Sequence, residues 1–284
     1  MENTNTTPAL YVVATPIGNL GDITLRALET LRAADLIACE DTRHARRLLD
    51  HHGIRAATLP LHEHNEVAAT ARLIEALAAG RRVALISDAG TPGISDPGAR
   101  ACAAVRAAGY PVVPIPGANA AATAMSAAGL PDVRFLFAGF LPAKAAARRR
   151  EIETLKAVAA ALVFHEAPHR IEATLADLAA LLEPGRTLVV ARELTKLFEQ
   201  IAVIPLAQGP AWLAADENRR RGEFVLIVSG PPPNAKGEAD AQAERVLKVL
   251  LDELPVKQAA KLAATITGAA RNDLYRRALE LKGG

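Results

Sequence analysis

The chain has 284 residues, half of them hydrophobic and only 4% aromatic, and its 33 lysines and arginines nearly balance 31 aspartates and glutamates. A net charge of +2 excludes a protein that holds nucleic acid by bulk charge, so any basic surface has to be local. No segment approaches the about 18 uninterrupted apolar residues of a membrane span, the opening MENTNTTPAL lacks the pattern of a signal peptide, and Cys39 and Cys102 read as buried thiols of a reducing, cytoplasmic compartment.

The length predicts two domains. ALYVVAT (9–15) reads as a buried strand, followed by a turn through Gly18, Asn19 and Gly21 and a helix that Asp22 or Thr24 can cap. DLIACE (35–40) is the next strand, and TRHARRLLDHHG a helix ended by Gly53. AATLPLHEHN (56–65) leads into a helix that stops at Gly80, and RVALISDAG (82–90) is a strand entering a glycine-rich loop. Asp96 is placed to cap a helix with Pro97 in its first turn and Gly109 at its end. YPVVPIPG is a strand and ANAAATAMSAAG a helix of small residues. Strands alternating with helices predict an α/β fold with a mainly parallel sheet.

VRFLFAGFLPAK (133–144) reads as a hinge, so the first α/β domain is expected over 1–140 and a second over 141–230. The second begins with a helix over 143–157, then strand ALVFHEA (161–167) and a helix from Pro168. Strands TLVVAREL (187–194) and FEQIAVIPL (198–206) follow each other directly, which predicts a mixed sheet; a helix near 206–218 and strand GEFVLIVSG (222–230) complete it. PPPNAKGEADA (231–241) reads as a linker, and 242–284 as a small helical extension of three helices broken by Pro255 and Gly268.

HEAPH within VFHEAPHRI (163–171) matches the His-Glu-x-x-His pattern of zinc proteases. That chemistry needs both histidines one turn apart on a helix. Pro168 removes a helical hydrogen bond and pushes Ala167 out of the helical region. His165 and Glu166 are therefore expected at a strand end, with Pro168 opening the next helix. LHEHN (61–65) offers His62 and His64 but no third ligand at metal-site spacing, so a polar loop beside a groove is the better reading. No metal site is expected.

ISDAGTPGISDPG (86–98) places three glycines and two prolines after a buried strand, and ATPIGNLGD (14–22) and PIPGANAA (114–121) hold equivalent positions. Ligands of open α/β sheets bind outside the carboxyl ends of the strands, so three such loops predict one pocket. Neither G-x-G-x-x-G nor a P-loop is present. The pocket therefore suits a nucleoside carrying no phosphate, and S-adenosylmethionine has that character.

YVVATPIGNLGDITLRALETL, CEDTR (39–43), HEHN (62–65), LISDAGTPGISDPG (85–98), PIPGANA (114–120), HEAPHRI and RELTKLFEQ (192–200), in that order, resemble the bacterial 16S ribosomal RNA cytidine 2′-O-methyltransferases of the tetrapyrrole-methylase superfamily. The resemblance runs from about residue 9 to 230, and the tail looks like that family's C-terminal extension. It implies two α/β domains with an S-adenosylmethionine cleft between them, and a homodimer that methylates a cytidine ribose in the decoding region of 16S RNA, naked or in the assembled small subunit. No metal and no membrane are involved. The chain lacks the GxGPGD first loop and the GDP third loop of tetrapyrrole-type members, which favours the RNA branch over a corrin, porphyrin or protein substrate.

Carried residue by residue, the resemblance assigns cofactor binding to Pro16, to Asp88, Ala89 and Gly90 with Ile94 behind them, to Asn119 and Ala120, and to Phe164, His165, Leu194 and Thr195. His165 and Glu166 are expected on the second domain's wall of the cleft. Methyl transfer to a hydroxyl also needs a base; Glu40 and Asp41, at a strand end beside the first loop, are the candidates, unless they only anchor Arg43 or cap the next helix. Arg43 with Arg46 and Arg47, Lys144 and Arg148 four apart on one helical face, Arg170, and Arg219–Arg221 are the cations expected to meet RNA.

Overall fold

The computed structural model describes residues 8–62, 64–131, 134–232 and 236–282. The chain divides into two compact units, Met1–Gly230 and Pro231–Gly284.

In the first unit, β1 (Leu10–Val13), β2 (Leu36–Cys39), β3 (Ala57–Pro60), β4 (Val83–Ile86) and β5 (Val112–Ile115) form an all-parallel sheet in the order β3-β2-β4-β1-β5. The crossovers contain α1 (Leu25–Ala33), α2 (Thr42–His51), α3 (Glu66–Ala78) and α4 (Ala99–Ala107). Each strand side chain faces opposite to the next, so VALI of β4 divides between two cores. Ala84 and Ile86 pack with Leu31 and Leu49, while Val83 and Leu85 pack with Leu73, Leu77 and Val105. Thr24 rather than Asp22 caps α1, accepting from the Ala27 amide at 3.1 Å, and Asp41 caps α2. Asp96 caps nothing: α4 starts at Ala99, behind Gly98, whose φ of 125° only glycine takes readily.

β6 (Phe135–Phe140), β7 (Ala161–Glu166), β8 (Thr187–Arg192), β9 (Gln200–Pro205) and β10 (Phe224–Val228) build a mixed sheet in the order β6-β7-β10-β8-β9, with β6 parallel to β7 and the other pairs antiparallel. Residues 135–140 of the segment expected as a hinge thus form the first strand of the second sheet. The reason is β6's apolar run, which pairs with β7 on both sides of a bulge between Phe137 and Gly139. One face of this sheet packs on α6 (Ala145–Leu155), α7 (Ile171–Leu181) and α8 (Gly209–Ala214) through Leu162, Phe164, Leu188 and Leu226. Ala121 and Ala124 of α5 (Ala120–Ala127) pack on the other face against Ala161, Val163, Val189 and Ile227. A helix launched from the first sheet therefore covers the second.

The second unit holds α9 (Lys236–Glu253), α10 (Val256–Thr267) and α11 (Arg271–Lys282) around Leu247, Ala260, Ala263 and Leu274. Pro255 precedes α10, and Gly268 ends it at φ 74°. Helix begins at Lys236, inside the segment expected as linker; residues 233–235 of that segment lie outside the described residues.

Arg186 is fully buried at the entrance to β8 and ties three elements together. It donates to the Lys156 carbonyl at 2.6 Å, the Ser229 carbonyl at 3.3 Å and the Glu183 carboxylate at 2.5 Å. Replacing it by alanine deprives Glu183 of its nearest counter-charge, so Arg186→Ala is expected to lower stability in urea unfolding by about 3 kcal/mol or more.

Candidate functional site

Three loops meet at the carboxyl edge of the parallel sheet and are stitched to one another. Thr15 and Gly90 exchange backbone hydrogen bonds, N to O at 2.8 and 3.0 Å, and the Thr15 hydroxyl donates to the Ser87 carbonyl at 3.2 Å. Thr91 donates its hydroxyl to the Ala118 carbonyl at 3.1 Å, joining the third loop. Asn119 then caps α5 by accepting from the Ala122 amide. A side chain at Gly117 would lie 2.9 Å from Ala14 Cβ, so the loops approach as closely as glycine allows.

These loops and the ends of β7, β8 and β10 enclose a cavity of about 350 Å³, within the size range of small-molecule sites. Of the residues expected at a cofactor, Ala89, Gly90, Ile94, Asn119, Ala120, His165 and Leu194 line it. Pro16, Asp88 and Thr195 lie next in sequence to lining residues but are not among them. Phe164 points away, into the core under α6 and α7, because it alternates with His165 along β7. Ile17, Thr91, Ser95, Asp96, Phe140 and Lys196 also line the cavity and were not assigned to the site from sequence, although most fall inside the quoted motifs. Glu223–Val225 had no sequence signal; they arrive because β10 lies between β7 and β8.

Ser95, which lines the cavity, and Thr195, beside the lining residues Leu194 and Lys196, are held in left-handed backbone that side chains rarely adopt. Ser95 has φ 64° and Thr195 φ 65°, with Glu193 nearby at φ 52°; such strain concentrates at working sites. The Thr195 hydroxyl is buried without a hydrogen-bond partner. The turn it forms presses on the first loop: a side chain at Gly18 would come within 2.5 Å of Lys196 Cγ and 2.9 Å of the Leu194 carbonyl. Ser95 in turn reaches Gly139 of β6, where a bulge interrupts the pairing with β7.

His165 stands between the rings of Phe137 and Phe140, with centroids at 4.8 and 5.5 Å, and its Nε2 is buried without a partner. Burial holds its pKa below the ordinary value, with Glu223 opposing weakly. His169 sits in the turn after β7, so the two histidines of HEAPH belong to different elements. His62 and His64 face each other at 6.1 Å in a turn fixed by Asn65; Glu63 between them lies outside the described residues.

The opposite corner is acidic. Asp41 accepts from the Arg43 amide at 2.8 Å and forms a two-point ion pair with its guanidinium, which holds the carboxyl far below the usual aspartate range. Asp88 accepts from the Asp41 amide at 3.1 Å. Glu40 is half-buried; burial raises its pKa, and Asp88, Asp96 and Asp41 add to the effect. Burial first, then Asp88 and Asp41, push the Cys39 thiol up to about 11, so it stays unionised. Neither Glu40 nor Asp41 lines the cavity; Asp96 does, and burial raises its carboxyl to about 6.

The cations expected at RNA divide by exposure. Arg43, Arg46, Arg47, Lys144, Arg149 and Arg150 are exposed. Arg148 is not: its side chain is 6% exposed and pairs with Asp177 of α7 at 2.7 Å, because its face of α6 packs inward. Arg170 is half-buried, paired with Glu166 at 3.2 Å and bonded to the Leu141 carbonyl. Arg219 lies over the Trp212 ring at 4.5 Å. Among the cavity-lining residues the one lysine or arginine is Lys196, and it is held by Glu193 and Glu223, both at 2.9 Å. A phosphate would find no uncommitted counter-charge in the cavity. A nucleoside without phosphate fits its apolar walls and backbone rim.

Comparison with known proteins agrees with this geometry. Residues 9–209 match the model of the Tetrapyrrole (Corrin/Porphyrin) Methylases, and residues 237–282 that of the RsmI C-terminal HTH domain. The chain is 51% identical to ribosomal RNA small subunit methyltransferase I of Pseudomonas aeruginosa, covering 96% of this chain and 98% of the relative. It is 50% identical to the protein of that name from Escherichia coli O157:H7, covering 98% and 97%. Among solved structures, uroporphyrin-III C-methyltransferase from Thermus thermophilus, complexed with S-adenyl homocysteine, superposes with a TM-score of 0.55 at 16% identity, over 78% of this chain and 97% of that one. At that identity the likeness is one of fold.

The environment of His165 makes a direct prediction. In an NMR titration its ring signals should remain those of neutral imidazole as the pH falls through 6.5 and move only at lower pH. Protonation at or above that value would contradict the buried setting described here.

Proposed function

The chain belongs to the tetrapyrrole methylases and, among them, to the ribosomal RNA small subunit methyltransferase I family, and on that premise we propose that it methylates the 2′-hydroxyl of a cytidine in the decoding region of 16S ribosomal RNA, using S-adenosylmethionine. The observation that carries the reading is the cavity: apolar walls, a rim of backbone groups, and no cation left uncommitted for a phosphate. The relatives' name supplies the RNA side.

When bound, S-adenosylmethionine supplies a methyl group on positively charged sulfur with a neutral thioether as leaving group. The protein's own part is binding and alignment. Ile17, Ala120, Ala191 and Leu194 offer an apolar bed for the adenosine, and the backbone at Ala89–Gly90 meets its polar edge. The partnerless Nε2 of His165 offers one directed hydrogen bond within that bed. Glu223 adds a carboxylate to the cavity lining, paired with Lys196 at 2.9 Å. Phe140, exposed yet stacked edge-on with His165, presents an apolar ring at the mouth, where an unpaired base can stack. Asp41 is committed to Arg43 and to the start of α2, and Glu40 lies off the cavity wall, so neither accepts the proton in this reading.

Phosphates outside the cleft are met by the exposed cations Arg43, Arg46, Arg47, Lys144, Arg149 and Arg150, while Arg148 and Arg170 brace the fold behind them. The reading extends to a homodimer acting in the cytoplasm on small-subunit RNA, with Phe135 and Leu136 on the edge strand β6 as apolar surface for a second copy.

Transfer of labelled methyl from S-adenosylmethionine to small-subunit RNA, mapped to a 2′-oxygen, tests the function; modification of a tetrapyrrole instead would overturn it. Lys144→Ala and Arg46→Ala should each flatten the salt dependence of RNA binding by roughly 0.7 log units per log salt. Arg148→Ala should leave that slope unchanged and lower stability by about 3 kcal/mol, since it removes the closest partner of Asp177 and leaves it the longer contact to Arg149 at 3.8 Å.

A further inference from the structure

The cavity is bordered by a turn whose tip has no part in holding the cofactor. Between β8 and β9, Leu194 and Lys196 line the cavity, and the next two residues, Leu197 and Phe198, are 89% and 67% exposed. Phe198 is the most exposed of the chain's six phenylalanines. The turn that carries them is not slack. Glu193 and Thr195 take φ 52° and 65°, a strain that persists only where the surroundings over-determine it. The Thr195 amide donates to the Glu199 carboxylate at 2.6 Å and closes the turn. Lys196 binds Glu193 and Glu223, both at 2.9 Å, and the Glu223 amide donates to the Glu193 carboxylate at 2.9 Å. Arg192, at the turn's entrance, donates to the Asn218 and Arg221 carbonyls at 3.1 and 3.0 Å, so the exposed Arg221 stands beside that entrance.

We infer that Phe198 is a stacking platform for the base of a nucleotide next to the methylated one, in an unpaired RNA segment, and that Arg221 meets the adjoining phosphate. This rests on the RNA methyltransferase reading above. A 2′-hydroxyl reaches the cavity only when its nucleotide leaves a regular helix, and that leaves the neighbouring base with an uncovered face. Such a face stacks on an aromatic ring, and aromatic rings beside cations are how single strands are held without sequence readout. Size also decides the occupant. A stable protein contact covers about 800 Å² on each partner, and one ring with one leucine tip supplies a small part of that. The turn leads into β9, the edge of the second sheet opposite β6, so the tip does not continue the apolar surface of Phe135 and Leu136. Glu199, next to Phe198 in the chain, is exposed as well, which keeps phosphate away from the ring and leaves it to a neutral base.

The test compares wild type, Phe198→Ala, Phe198→Trp and Arg221→Ala, each as the full chain, in binding to small-subunit RNA over a range of salt, in calorimetric binding of S-adenosylhomocysteine and in sedimentation. Phe198→Ala should bind RNA about tenfold or more weakly with an unchanged salt slope, while its affinity for S-adenosylhomocysteine, its melting temperature and its sedimentation stay those of wild type. Phe198→Trp should keep the RNA affinity within about threefold, because any aromatic face stacks, and RNA should quench the fluorescence it adds to that of Trp212. Arg221→Ala should flatten the salt slope by roughly 0.7 log units per log salt; an unchanged slope overturns the phosphate contact. Wild-type RNA affinity in Phe198→Ala overturns the stacking role. So does a smaller species in sedimentation, which gives the tip to a second copy, or a loss of S-adenosylhomocysteine affinity, which gives it to the cofactor cavity. A wild type that methylates no small-subunit RNA overturns the functional reading itself; a wild type that does, with Phe198→Ala unaffected, overturns only the role of Phe198.

Discussion

The reciprocal backbone hydrogen bonds between Thr15 and Gly90 are the constraint on which the site depends. A parallel sheet delivers every crossover loop to the same edge, and loops left to themselves would fray there. Here the first is pinned to the second, the second to the third through Thr91, and the third to α5 through Asn119. Gly90 at φ 75° makes the pinning possible, because it turns its amide back toward Thr15 without a side chain in the way. Since α5 also covers the second sheet, the same chain of contacts sets the cavity's second wall relative to its first.

Charge is distributed around this cavity by commitment rather than by number. Lys196 is held by two glutamates, Arg170 by Glu166 and Arg148 by Asp177, so among the described residues the lining of the cleft has no lysine or arginine without an acidic partner. Exposed positive charge lies among residues that do not line the cavity, at Arg46 and Arg47 of α2 and at Lys144 and Arg150 at and after the start of α6. A net charge of +2 is compatible with an RNA substrate because the two signs are separated in space.

Much of this was legible in the residues. Pro168 was enough to dissolve the zinc pattern of HEAPH, because a helix cannot run through it. The glycine and proline content of three equivalent loops marked the pocket's edge, and the missing phosphate motifs described its chemistry. What was not legible follows from periodicity's limits. Lys144 and Arg148 share a helix face by spacing, but spacing does not say that Arg148 meets Asp177 on a neighbouring helix. Phe164 and His165 are adjacent in sequence and opposed in space. Asp96 followed by Pro97 has the form of a helix cap, yet the helix starts two residues after Pro97.

The sequence by itself determined the strand and helix order, the ligand-binding edge, the family, and the exclusion of a helical zinc site, because each depends on local backbone preference or on which end of a parallel strand a loop occupies. Only the tertiary structure decided which side chains reach the cavity. That depends on strand order in the second sheet, which brings Glu223–Val225 between β7 and β8, and on which charges find partners across the fold. Asp41 found Arg43 and became part of a cap; Asp96 has no ion pair among the described residues and lines the cavity.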